Sequence, residues 1–155
     1  MQIKFKIFFV ILFFLPVISQ AQNISSSNQK LVLTCPFEHG SGREPREAFT
    51  WDPPDQKVIM ISRVDSIIRS CSSATVVKVE PAEDSTCEIV ININNLYFWY
   101  HGLIKPVVKR GQVVTAGQSL GIYTFGTELE FRMYDDEDMK DPRALLDCKV
   151  PKAGD

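Results

Sequence analysis

Histidine is scarce in this chain, with two residues, His39 and His101, among 155. One lies in a Gly-rich segment and the other at the end of an aromatic run, so no Ser-His-Asp or Cys-His nucleophile set is credible around them. Basic charge is not in excess either. Lys plus Arg total 17 against 19 acids, and no basic run stands out, which excludes a basic nucleic-acid binder. The 8 Gly and 9 Pro follow no period, which excludes collagen-like and low-complexity chains. No apolar run reaches the ~20 residues a membrane-spanning helix needs. At 45% hydrophobic and 23% charged, what remains has the size of one ordinary domain.

The N-terminus reads as a targeting segment. Lys4 and Lys6 precede an apolar run of about 10 residues, and Ser19-Gln20-Ala21 then sets small residues at −3 and −1 of a cleavage site. We expect a signal peptide over residues 1–21 and an exported mature chain with no stable membrane span. Residues 22–34, Ser/Asn/Gln-rich as far as Lys30, are expected to form a flexible leader, and residues 149–155 a tail. The domain between spans residues 35–148. Export changes how the four cysteines read: an even number in an oxidising compartment suggests disulfides. Three pairings are possible. The favoured one joins Cys71 to Cys87, bracketing a hairpin, and Cys35 to Cys148, tying the two ends of the domain together.

Beyond Lys57 the pattern is that of strands. Val58-Ile59-Met60-Ile61 is apolar, residues 75–79 are rich in β-branched side chains, and residues 88–93 alternate. Asn94-Asn95 supplies a two-residue turn, since Asn tolerates positive φ, and Leu96-Tyr97-Phe98-Trp99-Tyr100 returns as an aromatic strand. Two short strands flank Gly111 and Gly117, and residues 128–133 alternate strictly. Residues 35–54 show no period and read as irregular. Asp141-Pro142 opens a single helical turn, with Asp141 as its cap. The fold class is therefore all-β with a short C-terminal helical turn. Asp135-Asp136-Glu137-Asp138 lacks the ligand spacing of an EF-hand and reads as a solvated loop.

Residues 107–121 have the form V-x-x-G-x-x-V-x-x-G-Q-x-L-G, two Gly turns between short strands. Trp99-Tyr100-His101-Gly102-Leu103 lies upstream, Glu128-Leu129-Glu130-Phe131-Arg132 downstream, and Asp141-Pro142 closes the series. In order and spacing, residues 47–146 resemble the LytM/lysostaphin-type zinc metallopeptidases, which have a barrel-sandwich hybrid fold (a duplicated hybrid motif). Biotinyl and lipoyl carriers share that architecture, but they need a Lys at a hairpin tip, and Asn94-Asn95 has none.

The resemblance implies where the zinc site would stand. Those enzymes hold zinc with the His and Asp of H-x-x-x-D and with the second His of H-x-H. The first segment falls at residues 45–51, where one frame offers Pro45 and Phe49 and the other Glu47 and Trp51. The H-x-H places are Glu128 and Glu130. The strand-end His is Gly102, with His101 one residue early, an offset that turns a side chain to the opposite face. The resemblance therefore implies a degenerate member with no cofactor, its zinc ligands lost. It would be an exported, non-catalytic module of the cell envelope, with peptidoglycan or an envelope protein such as an amidase as partner. The alternative is an active cell-wall metalloendopeptidase with Glu47, Glu128 and Glu130 as atypical ligands. Glu128, Glu130, Trp99, Tyr100 and His101 are the groove candidates. A solvated face carrying Arg132 in the same row explains the two acids equally well, and core packing explains the aromatics.

Overall fold

The structure is a computed structural model, and it describes residues 31–39, 41–43 and 56–148. The expected signal peptide, most of the leader, the H-x-x-x-D segment and the tail lie outside them. Eleven strands follow one another: β1 (Ser41–Arg43), β2 (Val58–Ile61), β3 (Ile67–Arg69), β4 (Ala74–Pro81), β5 (Cys87–Ile93), β6 (Leu96–Leu103), β7 (Lys105–Pro106), β8 (Val113–Val114), β9 (Ser119–Ile122), β10 (Leu129–Asp135) and β11 (Asp138–Lys140). No helix forms among the described residues. The C-terminal turn is a single one: the Leu145 and Leu146 N–H groups both donate to the Pro142 carbonyl, and Asp141 Oδ1 accepts from the Arg143 N–H at 2.9 Å. Nothing among the described residues is a helix long and apolar enough to cross a membrane.

The large sheet runs β1-β2-β10-β6-β5-β4-β8, and β3-β9-β7 form a small one. Neither closes on itself. One edge of β10 is shared: Leu129, Glu130 and Phe131 pair with β2, while Met133, Tyr134 and Asp135 pair with β11. Its other edge pairs with β6 over six residues. The β5–β6 hairpin turns at Asn94-Asn95, with Asn94 at φ 55° and Ile93 opposite Leu96. The turns at Gly111 and Gly117 have φ of 83° and 78°, values costly for any residue with a Cβ. Those turns brace the rest: Gly111 N–H donates to the Val76 carbonyl at 2.7 Å, and Gly117 N–H to that of Ser70 at 2.8 Å.

The core lies between the two sheets. Val76, Ile89, Ile91, Phe98, Phe131 and Leu129 come from the large sheet, Ile68 and Leu120 from the small one, and all are fully buried. Removing one such side chain from water is worth about 1.5–3 kcal/mol. Period-two alternation assigns the faces: in β10, Leu129, Phe131 and Met133 are buried, while Glu130, Arg132 and Tyr134 stay half-exposed.

Three expectations need correcting. The leader does not stay loose as far as residue 34. Leu33 is fully buried, bridges Leu146 in parallel and exchanges backbone hydrogen bonds with Leu145 and Asp147. Residues 35–54 are not wholly irregular, because β1 pairs with β2. Cys71 and Cys87 are not bonded; both are free, Cys71 buried and Cys87 half-buried. The hairpin register explains this. Cys87 sits opposite Pro81 at one end of β4, whereas Cys71 precedes Ala74 at the other. Eight strand residues span roughly 23 Å, against the 4.4–6.8 Å between Cα atoms that a disulfide allows. Cys35 and Cys148 are joined, with Cα atoms 4.9 Å apart.

Candidate functional site

The outer face of the large sheet carries the polar side chains in cross-strand rows. His101 lies between Glu88 of β5 and Glu130 of β10. Two residues along, Trp99 lies between Val90 and Arg132, and beyond it Tyr97 lies between Asn92 and Tyr134. The first row opens into a cavity of about 350 Å³ lined by Glu128, Glu130, His101, Asp84 and Ile59, among others. Glu130 projects into it from the outer face of β10, and Glu128, the residue just before that strand, meets it there.

His101 reaches this cavity, contrary to the expectation drawn from its offset. In β6, Tyr100 and Leu103 both point into the core, and the register between β5 and β6 shifts between Cys87 and Glu88. Gly102 is the extra residue of that bulge, and His101, before it, keeps the outward alternation of Tyr97 and Trp99. Gly102 has φ +112°, and a Cβ there would stand 2.5 Å from the Glu128 carbonyl oxygen. Gly102 thus has no room for a side chain. Tyr100 is corrected the other way. It is fully buried, and its hydroxyl accepts the Cys71 N–H at 2.8 Å, so it belongs to the core and not to a groove. Burial, and after it the nearby Cys71, hold its phenol well above the usual range; burial likewise pushes the Cys71 thiol up to about 12.

The charged groups of the face hold one another. Glu130 Oε2 lies 3.1 Å from Lys57 Nζ, and Oε1 meets Arg132. Arg132 reaches the Tyr134 hydroxyl at 3.5 Å. Burial works against its charge, but Tyr134 and Glu130 outweigh that and raise its pKa. Lys78 lies 2.9 Å from Glu88, 3.3 Å from Glu80 and 4.5 Å from the centre of the Trp99 ring. Its pKa is raised, first by the Glu88 hydrogen bond. His101 Nε2 lies 3.1 Å from Asp84 Oδ2. Asp84 is held below the usual carboxylate range, chiefly by hydrogen bonds from the Thr86 hydroxyl and N–H.

A second cluster lies elsewhere. Glu38, His39 and Asp65 bring possible ligand atoms within 4.8 Å of one another. Each of them is already engaged: Asp65 Oδ2 accepts from His39 N–H at 2.9 Å and Ser62 Oγ at 2.7 Å, Oδ1 faces His39 Nδ1 at 3.3 Å, and Glu38 pairs with Arg69 at 3.2 Å. His39 is exposed, and no local pattern reveals a partner 26 residues away. Burial alone would raise the Asp65 pKa; hydrogen bonds from Ser62 and His39 outweigh it and lower the value. A carboxyl lowered in the fold stabilises above its unfolded pKa of about 3.9, and that stability is lost as pH falls through the folded value. Asp65→Asn should therefore flatten the acid limb of the stability curve below about pH 4. Chemical denaturation at pH 7 and pH 3 checks this; an unchanged difference between the two would refute it.

No known family profile matches the sequence, and no curated protein matches it. Solved structures do. Csd3 of Helicobacter pylori superposes with a TM-score of 0.63 at 20% identity, over 76% of this chain and 34% of that one. Lysostaphin superposes at 0.52 and 22% identity, over 66% and 47% respectively. CbpA from L. salivarius REN gives 0.55 at 16% identity, over 77% and 84%. The chain thus spans about a third of Csd3 and about half of lysostaphin. At these identities the likeness establishes a fold, that of the LytM/lysostaphin peptidases.

Proposed function

We propose that this chain is an exported, non-catalytic, peptidase-like domain that binds in the cell envelope, with peptidoglycan or an envelope protein such as an amidase as its partner. One observation carries the reading: Glu130, at the place of a zinc-binding histidine in the resembling enzymes, has its oxygens engaged by Lys57 and Arg132. Zinc needs three protein donors converging at about 2.0–2.2 Å with a fourth position for water. A dication beside Glu130 would face two fixed positive charges, and the neighbouring imidazole is held by Asp84. The two cations at Glu130 therefore disfavour zinc at this cavity. The same carboxylates and cations suit a ligand that carries both amines and carboxylates, as peptidoglycan stem peptides do. The Cys35–Cys148 bond supports export, because disulfides persist in oxidising compartments.

Metal analysis of the purified protein after zinc loading, a muropeptide digest, and co-sedimentation with peptidoglycan test the proposal together. Expected are no stoichiometric zinc, intact muropeptides, and retention on peptidoglycan or on an envelope partner. Stoichiometric zinc lost together with cleavage activity in Glu130→Ala would establish the metalloendopeptidase alternative instead.

A further inference from the structure

We propose that the Cys35–Cys148 bond is a reversible clasp, opened in the folded protein by thiol–disulfide exchange with a dithiol. The bond is not sealed in the core. Both cysteines are half-buried, and together they line a cavity of about 710 Å³ whose walls include Phe37, His39, Arg69 and Asp147. Exchange needs an open path to sulfur, and accessible disulfides are the labile ones. The cavity gives a small thiol that path. This goes beyond the groove around Glu130 and does not depend on it.

The chain on either side of the bond is held by other contacts. Thr34 N–H donates to the Cys71 carbonyl at 2.8 Å, and Arg69 N–H to that of Pro36 at 2.9 Å. Phe37 is buried against Tyr123, with ring centres 4.7 Å apart. Leu146 is bridged to buried Leu33. Opening the bond removes none of these, so the two thiols, with Cα atoms 4.9 Å apart when joined, stay side by side. That decides which reductant works. A reagent thiolate bonds to one cysteine sulfur, the S–S bond breaks, and the other cysteine leaves as a thiolate that takes up a proton. After a monothiol has attacked, the released cysteine lies beside the mixed disulfide, attacks it and expels the reagent. A dithiol instead turns its second thiolate on its own mixed-disulfide sulfur, closes a ring and releases the second cysteine. Two electrons pass from the dithiol to the protein, which ends with two thiols while the reagent ends with an internal disulfide. The tie between the two ends of the domain then passes from a covalent bond to noncovalent contacts such as Leu33 with Leu146.

The test uses the Cys87→Ser protein, in which the buried thiol of Cys71 reports any unfolding. Without denaturant it is treated with dithiothreitol or with 2-mercaptoethanol, alkylated, and mapped by peptide mass. Dithiothreitol is expected to make Cys35 and Cys148 label while Cys71 stays unlabelled. 2-Mercaptoethanol should need roughly a hundredfold higher concentration for half-opening. Desalting in air should restore the Cys35–Cys148 pair. Labelling of Cys71 in step with Cys35 and Cys148 would overturn the proposal, because the bond would then open only through unfolding. So would a bond that resists dithiothreitol until denaturant is added, or one that 2-mercaptoethanol opens as readily.

Discussion

Replacing Gly102 with histidine is expected to destabilise the protein by about 2–6 kcal/mol, and to do so without giving it a zinc ion. The resemblance drawn from the sequence puts Gly102 at the place of a histidine, so the substitution is the obvious attempt at restoration. Its backbone forbids it. With φ at +112°, an L side chain is strained, at roughly 1–3 kcal/mol. The added Cβ would also sit 2.5 Å from the Glu128 carbonyl oxygen and 3.5 Å from Leu129 Cα. Both obstacles are main chain, so no rotamer relieves them, and overpacking of this kind adds about 1–3 kcal/mol. Gly102→Ala should lose nearly as much, because the conflict begins at Cβ. Denaturant midpoints of both variants, with metal analysis of the histidine one, decide the matter. A stable Gly102→His protein carrying zinc would refute the steric account and weaken the non-catalytic reading with it.

Opening the Cys35–Cys148 bond is expected to have an effect of similar size. The two residues are 113 apart in sequence, so the bond closes nearly the whole described domain into one loop. Chain-entropy arguments give about 4–5 kcal/mol for a loop of that length. For a domain of this size the melting temperature of Cys35→Ser/Cys148→Ser should fall by roughly 10–20 °C. Local contacts around the bond, such as Cys35 N–H to Asp147 Oδ1 at 2.5 Å, would loosen too. Cys87→Ser serves as the control, since a half-buried free thiol contributes little to a core. Alkylation followed by mass measurement checks the pairing directly. Cys71 and Cys87 should label on denaturation alone, and Cys35 and Cys148 only after reduction. Four labels without reductant would rule the bond out.

The sequence made the long strands legible and hid what depends on partners. β5 and β10 announce themselves because six residues alternate in each, and β6 because Asn94-Asn95 can turn into an aromatic run. β1 and β11 are three residues each and largely polar, so only pairing with β2 and β10 makes them strands. The run of four acids accordingly read as a loop, although two of the four end strands. Faces could be assigned by counting in twos, and this placed Glu128 and Glu130 together at the cavity. The offset from Gly102 misplaced His101, because Gly102 is the extra residue of a bulge that leaves no mark in composition, whereas counting in twos from Trp99 puts His101 on the outer face. Proximity in sequence suggested Cys71 with Cys87; an antiparallel register put them at opposite ends of a hairpin. The Lys57 and Arg132 contacts to Glu130 illustrate the remaining limit: Arg132 was visible as a neighbour in its row, whereas Lys57, 73 positions earlier, had no signal at all.

Leu33 beside Leu146, and Cys35 bonded to Cys148, mean that the chain enters and leaves the described domain at a single point. A pull applied through residues 30 and 149 would be carried by one covalent link. The sheets behind it would bear no tension, so stretching of the flanking segments would leave the cavity and the aromatic wall undistorted.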